Sequence, residues 1–268
     1  MITDFHTHIF PDKIATSTIA HLSAVGGMSA NTDGTAKGLR RALDKTGIDR
    51  AVVLPVVTKP AQFDSINRFA AAINAEKDRL ISFGGIHPDN DNVEEKLDLI
   101  VSLGLKGIKL HPDYQGVFIN DERYVHILRE AVKRDLLIVI HAGIDIGLPS
   151  PVHCPPDRMA AVLDAIGQDP SRPRVILAHM GGWQQWDDVE RFLVGKPVYF
   201  DTAFSLGQIP DDQFVRIIRR HGAERILFAT DSPWDAQDKD VRYLRALPLT
   251  EEEKELLFHT NAQTLLNG

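Results

Sequence analysis

Two histidines spaced two apart, His6 and His8, stand at the start of the chain, and His141, His179 and Asp231 close apolar runs further along it. Residues i and i+2 of a strand point the same way, so a strand over residues 2–8 aims both imidazoles at one point while Phe5 and Thr7 face the other way. Imidazole nitrogen and carboxylate oxygen are the donors that borderline divalent cations take. A catalytic ion also keeps one position open for water. The pattern predicts a metal centre.

Eight short, β-branched apolar runs can position these groups: residues 2–8, 51–57, 80–87, 107–111, 136–141, 175–179, 198–202 and 226–231. Helical periodicity fills the intervals, over 38–46, 64–78, 93–103, 122–134, 157–166, 187–193 and 211–220. Thr250 and Glu253 read as a capping box opening a last helix that runs to Leu266. Eight β-then-α units predict a closed parallel (β/α)8 TIM barrel, one domain over residues 1–268, with a C-terminal helix. The Gly/Ser/Asn-rich stretch 25–34 reads as a loop within the first unit, and no repeat or linker interrupts the chain. Such barrels carry their sites at the C-terminal ends of the strands. There the sequence places His6 and His8, His87, Lys109 and His111, His141, His179, Asp201 and Asp231. Unpaired buried imidazoles and carboxylates are costly, so a ring of them calls for a cation or a substrate.

Composition narrows the partners. At 43% hydrophobic and 25% charged, 268 residues can bury a large core. A net charge of −7, with no basic stretch interleaved with aromatics, argues against nucleic acid. Apolar runs such as 136–140 are too short to span a bilayer, so no membrane partner is expected. Cys154, the sole cysteine, excludes an internal disulfide and reads as a buried, inert thiol, and the N-terminus has no cationic start leading into an apolar run. A cytoplasmic protein with a small-molecule substrate, free to form a homo-oligomer, is expected.

The segments Asp4-Phe5-His6-Thr7-His8, Ile140-His141-Ala142-Gly143, Leu177-Ala178-His179-Met180-Gly181-Gly182 and Ala229-Thr230-Asp231-Ser232-Pro233-Trp234, with Asn261-Ala262 in a C-terminal helix, cover the whole chain in order. In this combination the chain resembles the amidohydrolase superfamily, in the branch related to aminocarboxymuconate semialdehyde decarboxylase. The resemblance implies a metal held by His6, His8, His141 and Asp231, with His179 beside it as a catalytic group. It fixes the site better than the reaction, since the superfamily includes hydrolases, lactonases, decarboxylases, hydratases and isomerases.

A metal held by three imidazoles lowers the pKa of bound water from about 15.7 towards about 7. Asp231 would accept that proton and return it to a leaving group, and His179 would hydrogen-bond the substrate oxygen as charge develops. The expected reaction is hydrolysis of an amide, ester or lactone of a small molecule. Its alternatives are non-oxidative decarboxylation of a small unsaturated or aromatic acid, and a barrel that binds metal or ligand without turnover. One Zn2+ per chain is expected, with Mn2+, Fe2+ or Co2+ suited to the same donors. Gly107-Ile108-Lys109-Leu110-His111-Pro112 resembles the fourth strand of dihydroorotases, where a carboxylated lysine bridges two metals. Carboxylation of Lys109 would add a second metal on His141 and His179. The favoured reading keeps one metal, with Lys109 in a salt bridge or on a substrate carboxylate. His111 reads as a substrate contact or a packed polar group. His153 lies in the long, proline-bearing loop 142–156 and reads as a substrate contact or a solvent-facing residue. Trp183, Trp234 and Tyr114 are candidate walls.

Overall fold

The computed structural model describes residues 1–267. Its strands are β1 (Thr3–Thr7), β2 (Arg50–Val53), β3 (Leu80–Ser82), β4 (Gly84–Gly85), β5 (Gly107–Leu110), β6 (Leu137–Ile140), β7 (Val175–Leu177), β8 (Tyr199–Asp201) and β9 (Ile226–Leu227). They pair in parallel in chain order, as β1–β3 and β4–β9. β3 and β4 are one strand interrupted at Phe83, whose N–H donates to Val53 O at 2.9 Å. The seam between last and first strands is joined by Phe5 N–H to Phe228 O and Asp231 N–H to His6 O, both 2.9 Å, and by a bridge from Thr7 to Ser232. The strands thus form the eight staves of a closed (β/α)8 barrel.

The helices are α1 (Asp12–Gly26), α2 (Ala36–Thr46), α3 (Phe63–Ala75), α4 (Val93–Ser102), α5 (Pro112–Gln115), α6 (Glu122–Lys133), α7 (Pro156–Ala165), α8 (Trp186–Phe192), α9 (Asp211–His221), α10 (Gln237–Ala246), α11 (Glu251–Glu255) and α12 (Asn261–Asn267). Most of the outer helices bury one stripe. In α6 the stripe is Tyr124, Ile127, Leu128 and Ala131, three and four residues apart as a helix facing a sheet requires. The capping box forms: Glu253 N–H donates to Thr250 Oγ1 at 3.1 Å and Thr250 N–H to Glu253 Oε2 at 2.7 Å. Two apolar cores result. One fills the barrel, with Phe5 edge-on to Phe83 and Val139, Ile176 and Ala229 around them, and the other lies between barrel and helices.

Strict alternation along β1 does not hold. Its pairing register shifts between Asp4 and Thr7, so Phe5 enters the barrel core and its neighbour His6 also reaches inward, to within 3.2 Å of Lys109 Nζ. Helices α1 and α10, and the single turn α5, have no counterpart in the periodicity. Of the residues in α1, only Ala15 is buried, so it lacks the core-facing stripe that announces a helix. Among the described residues, no helix is long and apolar enough to cross a membrane.

Candidate metal centre

Strand ends β1 and β9 meet at three atoms. His6 Nε2 lies 3.2 Å from His8 Nε2 and 3.3 Å from Asp231 Oδ1, and His8 Nε2 lies 3.1 Å from the same oxygen. The outer ring nitrogens fix the tautomers. His6 Nδ1–H donates to Asp201 Oδ2 at 2.9 Å and His8 Nδ1–H to Leu54 O at 2.8 Å. Each Nε2 therefore presents a lone pair, and with Asp231 Oδ1 three acceptors converge. Ligand atoms each about 2.0–2.2 Å from one ion stand about 3.0–3.5 Å from one another, so the spacing fits a divalent cation. Burial, with Lys109 nearby, holds His6 well below its ordinary pKa and so neutral, the form a metal needs. Burial alone would raise the carboxyl of Asp231, but His6 and His8 outweigh it and hold the group at about 2.

Strand ends β6 and β7 supply a second pair. His179 Nδ1–H donates to Ala203 O at 2.8 Å, leaving its Nε2 lone pair 3.0 Å from His141 Nδ1, and the His179 ring lies 5.5 Å from that of His6. On the far edge of His141, Nε2 faces Asp113 Oδ2 at 4.0 Å; both atoms are buried and neither is hydrogen-bonded. A cation at His141 Nδ1 would move the ring proton to Nε2 and give that carboxylate its donor, so these orphaned atoms also fit a metal. Asp201 ties the two pairs together, since its second oxygen accepts from His179 N–H at 3.0 Å while its first holds His6. His179 and Asp231 both sit at positive φ, 59° and 65°, a backbone cost commonly met at functional sites.

Lys109 is buried beneath His6, and burial lowers its ammonium to about 8 against the pull of Asp201 and Asp231. His111 stacks between His141 and Tyr114, with ring centroids 4.1 Å away on each side, and its Nε2 lies 3.5 Å from Asp145 Oδ2. All of these except Asp113, Asp201 and Ala203 line one cavity of about 760 Å³. Trp183, Trp234 and Phe204 wall it, and so do residues 144–147 of the long loop. That loop is pinned at Gly143, whose φ is +85° and where an added Cβ would lie 2.1 Å from Trp183 N.

Two residues fall elsewhere than expected. His153 lies off the cavity, with Nδ1 2.9 Å from Asp113 Oδ1 and its N–H donating to the same oxygen at 3.0 Å. Its ring supports Asp113. His87 accepts from Asp89 N–H at 3.0 Å and also lies off the cavity, because the chain turns at Asn90 and folds its ring into the loop. Asp113 and Asp145 are contributors that spacing did not mark. Asp113 had one signal, its place directly after the His111-Pro112 strand end. Cys154 is buried, and burial pushes its thiol up.

A family model described as amidohydrolase matches residues 3–268. A search of curated proteins finds no sequence match. Among solved structures, 2,6-dihydroxybenzoate decarboxylase from Rhizobium is 17% identical with TM-score 0.70, covering 100% of this chain and 99% of its own. The 5-carboxyvanillate decarboxylase of Sphingomonas paucimobilis is 16% identical with TM-score 0.71, covering 99% and 98%. That of Novosphingobium aromaticivorans, complexed with manganese and 4-hydroxy-3-methoxy-5-nitrobenzoic acid, is 17% identical with TM-score 0.71, covering 100% and 96%. These neighbours overturn the expectation of hydrolysis in favour of its decarboxylase alternative. The physical reason for the error is that one donor set serves both reactions, and the placement of the substrate's carbon decides between them. With the motifs, the barrel and the converging donors in agreement over residues 3–268, the chain belongs to the amidohydrolase family.

Proposed function

We propose that the protein is a divalent-metal-dependent carboxy-lyase acting on a small aromatic or unsaturated acid. The convergence of His6 Nε2, His8 Nε2 and Asp231 Oδ1 carries the metal dependence, and the observation that carries decarboxylation is the mainly apolar cavity in which these donors sit beside a buried lysine. The decarboxylases of the same fold support it. His6, His8, His141 and Asp231 hold the ion. When bound, it supplies Lewis-acid stabilisation of negative charge on substrate oxygens, and manganese, as in the Novosphingobium enzyme, suits these donors.

The chain's own groups do the rest. Lys109 orients the substrate's anionic oxygens, and His179 hydrogen-bonds the substrate through Nε2, its ring fixed by Ala203 O. Asp231 takes a proton from a substrate hydroxyl and passes it to the carbon bearing the carboxylate. The carbon–carbon bond breaks, its electron pair remains on that carbon and captures the proton, and carbon dioxide leaves. Trp183, Phe204 and Trp234 exclude water, which favours exchange of a charged carboxylate for a neutral gas. The test is incubation of manganese-loaded protein with a panel of hydroxybenzoates in deuterium oxide. Carbon dioxide release with one deuterium on the vacated carbon is expected. Oxygen-18 from labelled water entering a product carboxylate, or no carbon dioxide from any acid, would overturn the reading.

A further inference from the structure

The cavity is larger than a single-ring acid requires, and the excess lies along α1. Its 760 Å³ is in the range of about 300–1,000 Å³ that encloses a drug-sized ligand. Ile14, Thr18 and Leu22, four residues apart on one face of α1, line it, with Ile66 and Phe69 of α3 also in the wall. The same cavity is lined by His6, His8 and Asp231, so the apolar groove and the metal donors share one continuous space.

This end of the molecule is also where apolar surface is left open. Ile14 is 44% exposed, Val25 43%, Ile146 45% and Leu148 41%, which makes four of the seven large apolar side chains exposed among the described residues. Three of them are neighbours: Gly147, between Ile146 and Leu148, abuts Val25, where an added Cβ would stand 2.6 Å from Val25 Cγ1, while Ile14 shares the lining of the cavity with Ile146. A fifteen-residue helix with one buried residue is not held in place by core burial. Its apolar stripe is instead turned to the substrate cavity, and contiguous exposed apolar surface marks a binding site.

We infer that the substrate is an acid carrying an extended apolar substituent, which lies along the Ile14–Leu22 face of α1 while its carboxylate end meets the metal donors. This inference rests on the carboxy-lyase reading for the polar end of the ligand and on the groove alone for the apolar end. The occupant is part of the substrate, because the groove opens into the catalytic cavity.

Calorimetric titration of the manganese-loaded full chain tests it with three probes: 2-hydroxybenzoate, 4-hexyloxy-2-hydroxybenzoate and 3-hexyloxyphenol. Burial of a methylene is worth about fourfold in affinity, so a six-carbon chain, after the cost of ordering it at an open rim, should bind about a hundredfold tighter than the short acid. In a double variant, Ile14→Asp with Leu22→Asp, that ratio should fall towards unity, with Ile66→Ala on α3 giving a smaller decrease. Circular dichroism establishes that each variant is folded. Equal affinities for the two acids, or a ratio untouched in every folded variant, would overturn the groove while leaving the carboxy-lyase reading intact. Variant-sensitive binding of the phenol, with no metal-dependent binding of either acid, would uphold the groove and overturn that reading. A wild-type dimer that Ile14→Asp dissociates, with no gain from the hexyl chain, would assign the patch to a second copy and overturn the inference.

Discussion

Asp113 Oδ2 and His141 Nε2 face each other at 4.0 Å in the interior, each without a hydrogen bond, while the other oxygen of Asp113 is held by His153. Burial raises the Asp113 carboxyl, and His153 opposes that rise. The arrangement is that of a carboxylate standing behind a metal-ligating imidazole, ready to take its Nε2 proton when Nδ1 binds a cation. Asp113→Asn is expected to weaken metal binding about 10–100-fold while the barrel stays folded. Competition against a chelator reads the change, and an unaltered metal affinity would remove Asp113 from this role.

The three convergent acceptors should make bound metal depend on β1. A double variant, His6→Ala with His8→Ala, is expected to lose its divalent ion, and manganese should raise the melting temperature of the wild type but not of the variant. Elemental analysis showing full occupancy in the variant would remove both residues from the ligand set.

His179 stands one step back, bonded to Ala203 O and facing His141. His179→Asn is expected to retain most of the metal and to lower turnover by about two orders of magnitude or more, once a substrate is in hand. Complete metal loss would make His179 a ligand instead, and undiminished turnover would leave it with no part in the chemistry.

The eight strands were legible because most are short β-branched runs buried on both faces and closed by a polar residue, as at Ile140-His141 and Ile226–Leu227 leading to Asp231. Helix α1 was not, since its apolar residues face a cavity and leave no core period to read. The bulge in β1 was hidden as well, because a register shift depends on the partner strand. His6, His8 and Asp231 could be paired by strand-end position. The joint hold of Asp201 on His6 and His179 could not, for it depends on side-chain directions at a barrel interior. The reaction was beyond reach of the donor residues, which hydrolysis and decarboxylation share.

Two buried aspartates behind the β1–β9 seam are handled in opposite ways, and the contrast predicts a pH-dependent stability. Asp4 accepts from His6 N–H, Thr230 N–H, Thr230 Oγ1 and Gln237 Nε2, at 2.6 to 3.3 Å, and burial raises it only to about 6. Asp240 has neither oxygen hydrogen-bonded; Lys239 Nζ is 3.8 Å away. Burial, reinforced by Asp235 and opposed by Lys239, raises it from 3.8 to about 9. A raised folded-state pKa means that the native protein holds a proton which the unfolded chain releases above its ordinary value. The contribution of Asp240 is therefore fully present below pH 3.8 and is lost progressively as pH rises towards about 9. Asp240→Asn keeps the shape and cannot ionise, so it should be the more stable protein at pH 8.5, by about 2–10 °C in Tm, with a smaller difference at pH 5. Thermal unfolding of both proteins at the two pH values checks this. A difference that is constant with pH, or that grows on acidification, would show that Asp240 is not the titrating group.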